Sequence, residues 1–362
     1  MKRIIFTVTN DLTYDQRMMR ICTTLAGAGY HVLLVGRKLR ESKPLRPAGY
    51  AQKRIFCFFS KGKLFYAEYN IRLFFFLLFK KTDAVCAIDL DTILPCYLVS
   101  RLKGIKRVYD AHEYFTQMDE VISRPAIYRI WHGIEKRMLP RFVNGYTVGQ
   151  SISAEFKKKY GVNYKVIRNV PWLTEIKADK SSDRFILYQG AVNKGRGLEK
   201  LVEAMNTVPV KLIVCGEGNF STEMREAIRQ NNLTDKVLMK GMLEPGALKE
   251  ITRQAYIAVN PFQRTGLNQY LSLSNKFFDY IHAGIPQVTM NFPEYKKIND
   301  AYQVALLIDD VEPQRIAQAL NNLLNNDVLY NRLKENCIKA RLELNWQNEE
   351  KKLMEFYQSL LH

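Results

Sequence analysis

Short apolar, β-rich runs alternate with longer segments of helical periodicity along the whole chain, and this alternation restricts it to parallel sheets covered by helices. IIFTV gives way to a helix near 15–28 and then HVLLVG; AVCAI, a helix near 92–103 and RVY follow. The rhythm restarts with RFILYQG, a helix from 197, VKLIVCG, a helix from 221, KVLMKG, a helix near 245–255 and AYIAVNP. A chain of 362 residues is too long for one ordinary core and fits two domains of about 150 to 200 residues each. No repeat of solenoid length and no low-complexity tract interrupts it. The polar stretch TEIKADKSSD (174–183) marks the boundary, so the expected domains are 1–175 and 176–345. The last segment, 346–362, reads as an amphipathic helix with Leu353, Phe356, Tyr357 and Leu360 on one side.

Charge is divided unevenly between the halves. Residues 1–175 hold 30 Lys+Arg against 14 Asp+Glu, and residues 176–362 hold 24 against 22, so +16 of the net +18 lies in the first half. Such a half suits an anionic partner: an anionic membrane surface, a lipid-linked pyrophosphate acceptor or a nucleic acid. A lysine-rich solvated face without a partner accounts for the same excess. The clustered aromatic and basic readout motifs of nucleic-acid modules are absent from the first half, and no nucleic acid is expected as a partner. The six cysteines (22, 57, 86, 96, 215 and 337) lack metal spacing and lie in or beside apolar runs, as buried free thiols of a reducing compartment do. No apolar stretch approaches the roughly 20 residues of a membrane span, and MKRIIFTVTN reads as a first strand. The expected location is the cytoplasm, with the inner face of the cytoplasmic membrane as a further site.

The segment SLSNKFFDYIHAGIPQV (272–288) carries the strongest chemical signal. Ser272, Ser274 and Asn275 precede the apolar-periodic run Phe277–Ile281, so a helix should begin near Ser274 with its first N–H groups open. Such an end attracts phosphate. Lys276 in the first turn adds a cation, and Asp279, one turn on, can accept hydrogen bonds from two ribose hydroxyls. Gly284 then stops the helix before Pro286 and a short buried strand. A plain capped helix of an α/β domain is the other reading.

Further loops fall at the carboxyl ends of expected strands, where ligands of open parallel sheets bind. GAVNKGRG leaves a strand at Gly190, offers the cations Lys194 and Arg196, and opens a helix. Cys215-Gly216-Glu217-Gly218 forms the next strand-to-helix turn, and Lys240-Gly241-Met242-Leu243 ends the strand after that. Either glycine-rich loop could equally be a tight turn. In the first half, Tyr109-Asp110-Ala111-His112-Glu113 follows a strand, and a histidine beside an aspartate can be purely structural. His/Cys/carboxylate spacing offers no metal site.

The pattern S-x-x-x-K-x-x-[DE]-Y-x-x-x-G-x-P-x-V of 272–288 resembles the donor segment of family-4 retaining glycosyltransferases. The similarity extends to DQRMMRICTTLAGAGYHVLLVGR (15–37), VYDAHEYF (108–115), LYQGAVNKGRGLEKLVEAM (187–205) and LIVCGEGNF (212–220). It implies the GT-B fold: two facing Rossmann-like domains, with the C-terminal helix crossing back onto the first. It implies a cytoplasmic enzyme that moves a sugar from a UDP- or GDP-sugar to a glycan or lipid-linked acceptor with retention, needing no metal or other cofactor, in cell-surface polysaccharide or glycoconjugate synthesis. By motif position the catalytic residues would be His112, which contacts the transferred sugar, with Arg196 and Lys276 at the diphosphate. Gly190, Lys194, Gly216, Glu217, Met242, Ser274, Asn275 and Asp279 would bind the donor, and Asp15 and Arg17 would form the acceptor and phosphate loop.

Three departures stand out. The family's arginine after Gly190 is replaced by Ala191, leaving open which of Lys194 and Arg196 meets the phosphates. The usual glycine pair is missing from NDLTYDQR. The first of two family glutamates falls on or near Leu271, where Asn268 or Gln269 would have to substitute. Another GT-B enzyme such as a nucleotide-sugar epimerase, a non-catalytic nucleotide-sugar-binding subunit and a basic nucleic-acid-binding protein are the alternatives. Two segments also suit a membrane surface, IRLFFFLLFKK (71–81) and YRIWHGIEKRMLPR (128–141), although buried helices explain both.

Overall fold

The computed structural model describes residues 1–175 and 183–361, so the expected boundary at 174–183 lies largely outside the described residues. The chain divides into two compact units, one formed by Met1–Asn169 with the segment that begins at Trp346, the other by Val170–Asn345.

The first unit is built on seven strands: β1 (Arg3–Thr7), β2 (His31–Lys38), β3 (Ala51–Phe56), β4 (Ala84–Ile88), β5 (Lys106–Ala111), β6 (Gly145–Thr147) and β7 (Lys165–Val166). All pair in parallel, in the order β3-β2-β1-β4-β5-β6-β7. Central β4 is buried at every position, which is why AVCAI reads as a continuous apolar run. Between the strands lie α1 (Gln16–Gly27), α2 (Gly62–Leu78), α3 (Ile93–Lys103), α4 (Asp119–Ile122), α5 (Pro125–Met138) and α6 (Gln150–Tyr160). α3 and α6 each end on a left-handed glycine, Gly104 and Gly161, which closes the last turn at no steric cost.

The second unit contains β8 (Phe185–Gln189), β9 (Lys211–Cys215), β10 (Val237–Gly241), β11 (Ile257–Asn260), β12 (Gln287–Met290) and β13 (Ala305–Ile308). These six strands are also parallel, in the order β10-β9-β8-β11-β12-β13. Its helices are α7 (Leu198–Ala204), α8 (Ser221–Gln230), α9 (Pro245–Gln254), α10 (Leu267–Leu271), α11 (Asn275–His282), α12 (Pro293–Tyr302), α13 (Pro313–Asn325) and α14 (Asp327–Ala340).

The last helix, α15 (Trp346–Leu361), completes the first unit. Trp346, Leu353 and Tyr357 are fully buried, and Trp346 Nε1 donates to Thr24 Oγ1 of α1 at 2.9 Å. Its inward stripe runs through 346, 349, 353, 357 and 361, so the expected Phe356 and Leu360 lie half-buried at its margin. Five of the six free cysteines are buried, while Cys57 is half-buried. No described helix is long and apolar enough to cross a membrane.

Candidate functional site

In the second unit the chain runs outward from β8 to β9 and β10, then returns to the other side of β8 with β11. The two loops that leave β8 and β11 therefore diverge, and the gap between such loops is where open parallel sheets receive ligands. Helix α11 starts at this point. Its first-turn Lys276 places Nζ 3.8 Å from the ring centroid of Tyr188 in β8 and 5.0 Å from that of Phe262 after β11. Arg196, from the loop after β8, lies over the same Phe262 ring at 4.6 Å.

One buried ring thus carries two cations, and no carboxylate forms an ion pair with Lys276 among the described residues. Burial holds the Lys276 ammonium well below the usual lysine range, and repulsion from Arg196 adds to this, opposed by Asp279. An anion placed here would relieve that repulsion.

The helix end reinforces the same preference. Ser274 is the N-cap, yet its side chain makes no capping bond. Its hydroxyl instead accepts from Asn260 Nδ2 at 3.0 Å, and its N–H donates to Tyr295 Oη at 3.1 Å. The serine is held from below by β11 and α12, and its hydroxyl leaves the positive end of α11 to other acceptors. Asn275 follows on the exposed surface.

Asp279 sits one turn beyond Lys276, where Gln189 Nε2 donates to its Oδ2 at 2.9 Å. Gln189 is buried and held in turn: its Oε1 accepts from Thr252 Oγ1 at 2.7 Å, and its N–H donates to Tyr280 Oη at 3.1 Å. One Asp279 oxygen is therefore fixed in direction.

Glycines bring the flanking backbones together. A Cβ on Gly216 would lie 1.9 Å from the Gly190 carbonyl oxygen, and one on Gly190 would touch Lys276 Nζ at 3.4 Å. Gly190 N–H donates to Cys215 O at 2.9 Å, which ties the first loop to the end of β9. Side chains at either position would separate the two turns from each other or from the lysine.

Other expected donor residues stand elsewhere. Lys194 is 71% exposed and its Nζ pairs with Glu223 of α8 at 3.4 Å, so of the two loop cations only Arg196 joins Lys276. Glu217 Oε1 accepts from Arg225 Nη2 of α8 at 2.7 Å. Met242, just past the end of the edge strand β10, is 78% exposed. Leu271 is buried at the end of α10, and Gln269 accepts from Thr265 Oγ1 at 2.9 Å.

In the first unit Asp110, the penultimate residue of β5, is fully buried between Arg17 and His112. Arg17 donates through both Nη2 (2.9 Å, to Oδ1) and Nε (3.3 Å, to Oδ2), while His112 Nε2 lies 3.0 Å from Oδ2. Burial alone would raise the Asp110 carboxyl, but the two cationic groups outweigh it and hold the group below its ordinary range. Burial likewise works against a charged His112 ring, and Asp110 overcomes it, raising the histidine above its ordinary value. The His112 N–H donates to Asp89 Oδ1 at 2.9 Å, so backbone and ring are both fixed.

The same network holds the two residues expected in the acceptor and phosphate loop. Arg17 lies in the first turn of α1, which begins at Gln16, and its guanidinium points inward, where it is 2% exposed and also donates to Ile167 O at 2.9 Å. Asp15 serves as the N-cap of α1, accepting from Met18 N–H at 2.9 Å, and is bonded by Asn10 Nδ2 at 2.7 Å. Phe262, Gln189 and Asp89 were not singled out from the sequence. Only their position at strand ends could have marked them, since their partners lie 14 to 90 residues away.

Two Rossmann-like units with parallel sheets of seven and six strands define the GT-B architecture, and the chain has that fold. Residues 173–340, most of the second unit, match the model of the family glycosyl transferases group 1. No curated protein matches the chain significantly. Among solved structures, sucrose-phosphate synthase from Thermosynechococcus elongatus is similar at 16% identity over 99% of each chain, with a TM-score of 0.85. Anabaena HepE in complex with UDP-glucose is similar at 12% identity over 99% of this chain and 100% of that one, TM-score 0.76. WaaG, a glycosyltransferase involved in lipopolysaccharide biosynthesis, is similar at 15% identity over 96% and 98%, TM-score 0.76.

Proposed function

We propose that the protein is a glycosyltransferase that moves a sugar from a UDP- or GDP-sugar to a glycan or lipid-linked acceptor. The observation that carries this reading is the pair Lys276 and Arg196, gathered over one ring at the start of α11 and at the β8–β11 divergence. A leaving nucleoside diphosphate gains negative charge as the glycosidic bond breaks, and preorganised cations with a helix N-terminus stabilise that charge in the transition state. This compensation needs no divalent metal. Asp279, with one oxygen fixed by Gln189, is placed one helical turn away to accept from the ribose hydroxyls. His112, held through Asp110 and Asp89, takes the contact with the transferred sugar that the family resemblance gives it.

Retention of configuration follows from the same resemblance. The basic first half suits a lipid-linked acceptor at the inner face of an anionic membrane, in cell-surface glycan synthesis. Similarity to WaaG, and to HepE with UDP-glucose bound, supports this assignment. Leu271, where the resemblance calls for a glutamate, favours a second reading as a non-catalytic nucleotide-sugar-binding subunit.

Incubation with UDP- and GDP-sugars separates the two, because the enzyme releases free nucleotide and the subunit binds without release. Donor binding measured by calorimetry should be the same with and without a chelator. Loss of binding on chelation would overturn the metal-free charge compensation.

A further inference from the structure

Helix α2 presents an apolar surface on the side turned away from the sheet. Phe65, Tyr69, Leu73 and Leu77 recur every four residues and are buried. At about 100° per residue, Ile71 and Phe75 project from the opposite side, and both are exposed, Phe75 by 54%. Phe79, just past the helix end, is 81% exposed. The segment 71–81 is therefore neither wholly buried nor a plain solvated helix.

Helix α3 packs beside α2 and repeats the pattern. Its inner residues Ile93, Cys96 and Val99 are buried, while Leu94, Leu98 and Leu102 form an outer stripe, Leu102 being 66% exposed. Lys103 Nζ joins the two C-terminal ends by donating to the carbonyls of Leu77 and Leu78 at 3.3 and 3.2 Å. The two outer stripes thus belong to one face of the first unit. Large side chains exposed in rows on neighbouring helices mark a surface with a partner.

The charges around this face choose the partner. α3 has no acidic residue, and the single acid of α2, Glu68, is taken by Arg72 at 2.8 Å. Lys61 and Lys63 lie at one end of α2, and Lys80, Lys81 and Arg101 at the other. Lys80 and Lys81 also line a cavity of about 430 Å³ with Arg3, Tyr30, His31 and Tyr50, beside the amino ends of β1 to β3. Two copies meeting through this face would oppose these cations in a half that already carries +16. An anionic bilayer satisfies both features, since it accepts the apolar stripe at the acyl boundary and the lysines among its phosphates.

We propose that the outer face of α2 and α3 docks the protein on an anionic lipid membrane, with the helices lying in the interface and Lys80 and Lys81 among the headgroups. The docking needs no donor or acceptor and stands or falls apart from the glycosyl-transfer reading. The full chain is cosedimented with phosphatidylcholine vesicles with and without phosphatidylglycerol, in the absence of nucleotide sugar. Binding should require phosphatidylglycerol and weaken as salt rises. Phe75→Ser/Phe79→Ser should lower partitioning about tenfold or more, and Lys80→Ser/Lys81→Ser by about tenfold. Circular dichroism checks that each variant is folded. Should the α2 variant unfold, Leu98→Ser/Leu102→Ser on α3 probes the same face. Wild-type partitioning by a folded variant of either helix would overturn the proposal, as would equal binding to neutral vesicles. A lipid-free dimer that Phe75→Ser/Phe79→Ser dissolves, with no vesicle binding, would assign the face to self-association instead.

Discussion

Lys276 and Asp279 lie one turn apart on α11 but should fail in different ways. Lys276→Ala removes a cation whose interaction grows as the leaving group charges, so turnover should fall on the order of 100-fold or more, with a smaller change in donor affinity. Asp279→Asn weakens bonds made equally in ground and transition states, and should chiefly raise the donor KM. Steady-state kinetics on both variants make the comparison, and near-normal turnover in a folded Lys276→Ala protein would reduce the segment to a capped helix. At Asp110 the issue is stability. Arg17→Leu leaves a buried carboxylate with only His112 beside it, which should cost about 3 kcal/mol or more in urea unfolding. The histidine adds a pH signature. Because its pKa is raised in the folded state, its pairing contributes fully below about pH 6.5 and fades as pH rises through the raised value. Asp110→Asn should return the His112 titration, followed by NMR, toward the ordinary range.

At the scale of elements, the approach of the β8 and β9 turns rests on Gly190 and Gly216. Gly216→Ala would force a methyl against the Gly190 carbonyl oxygen, 1.9 Å away, and should destabilise the second unit by about 1–3 kcal/mol. Gly246→Ala, in α9 with open space around it, should instead be neutral or stabilising by about 0.5 kcal/mol. Chemical denaturation of both variants tests the contrast. The limits of α11 were legible in the sequence because they are local: Ser274 precedes the helix and Gly284, at φ +69°, ends it. The inward turn of Arg17 was not, since it depends on Asp110, 93 residues further along. Nor could the sequence divide Lys194 from Arg196, two cations in one loop separated by Glu223 on one side and Phe262 on the other. α2 was ambiguous for another reason: apolar residues all around a helix carry no periodic sign of which side meets the sheet.

At the scale of the molecule, the first unit is made from two distant parts of the chain. Trp346, Leu353 and Tyr357 of α15 fill its core, and the Tyr357 hydroxyl lies 3.3 Å from that of Tyr146. A chain ending at Asn345 should bind the dye ANS and lose the cooperative melting of its first unit, while the second unit, whose residues are all present, keeps its own transition. Calorimetry would resolve the two, and an unchanged first transition would show that the helix is dispensable. The arrangement also fixes an order of events at the ribosome. The segment synthesised first waits, with the seats of Trp346 and Tyr357 open, until the whole second unit has been made and the last helix has left the exit tunnel. A translation product interrupted before Trp346 then carries an unfinished core in its first unit, whose exposed apolar surface chaperones and proteases can recognise.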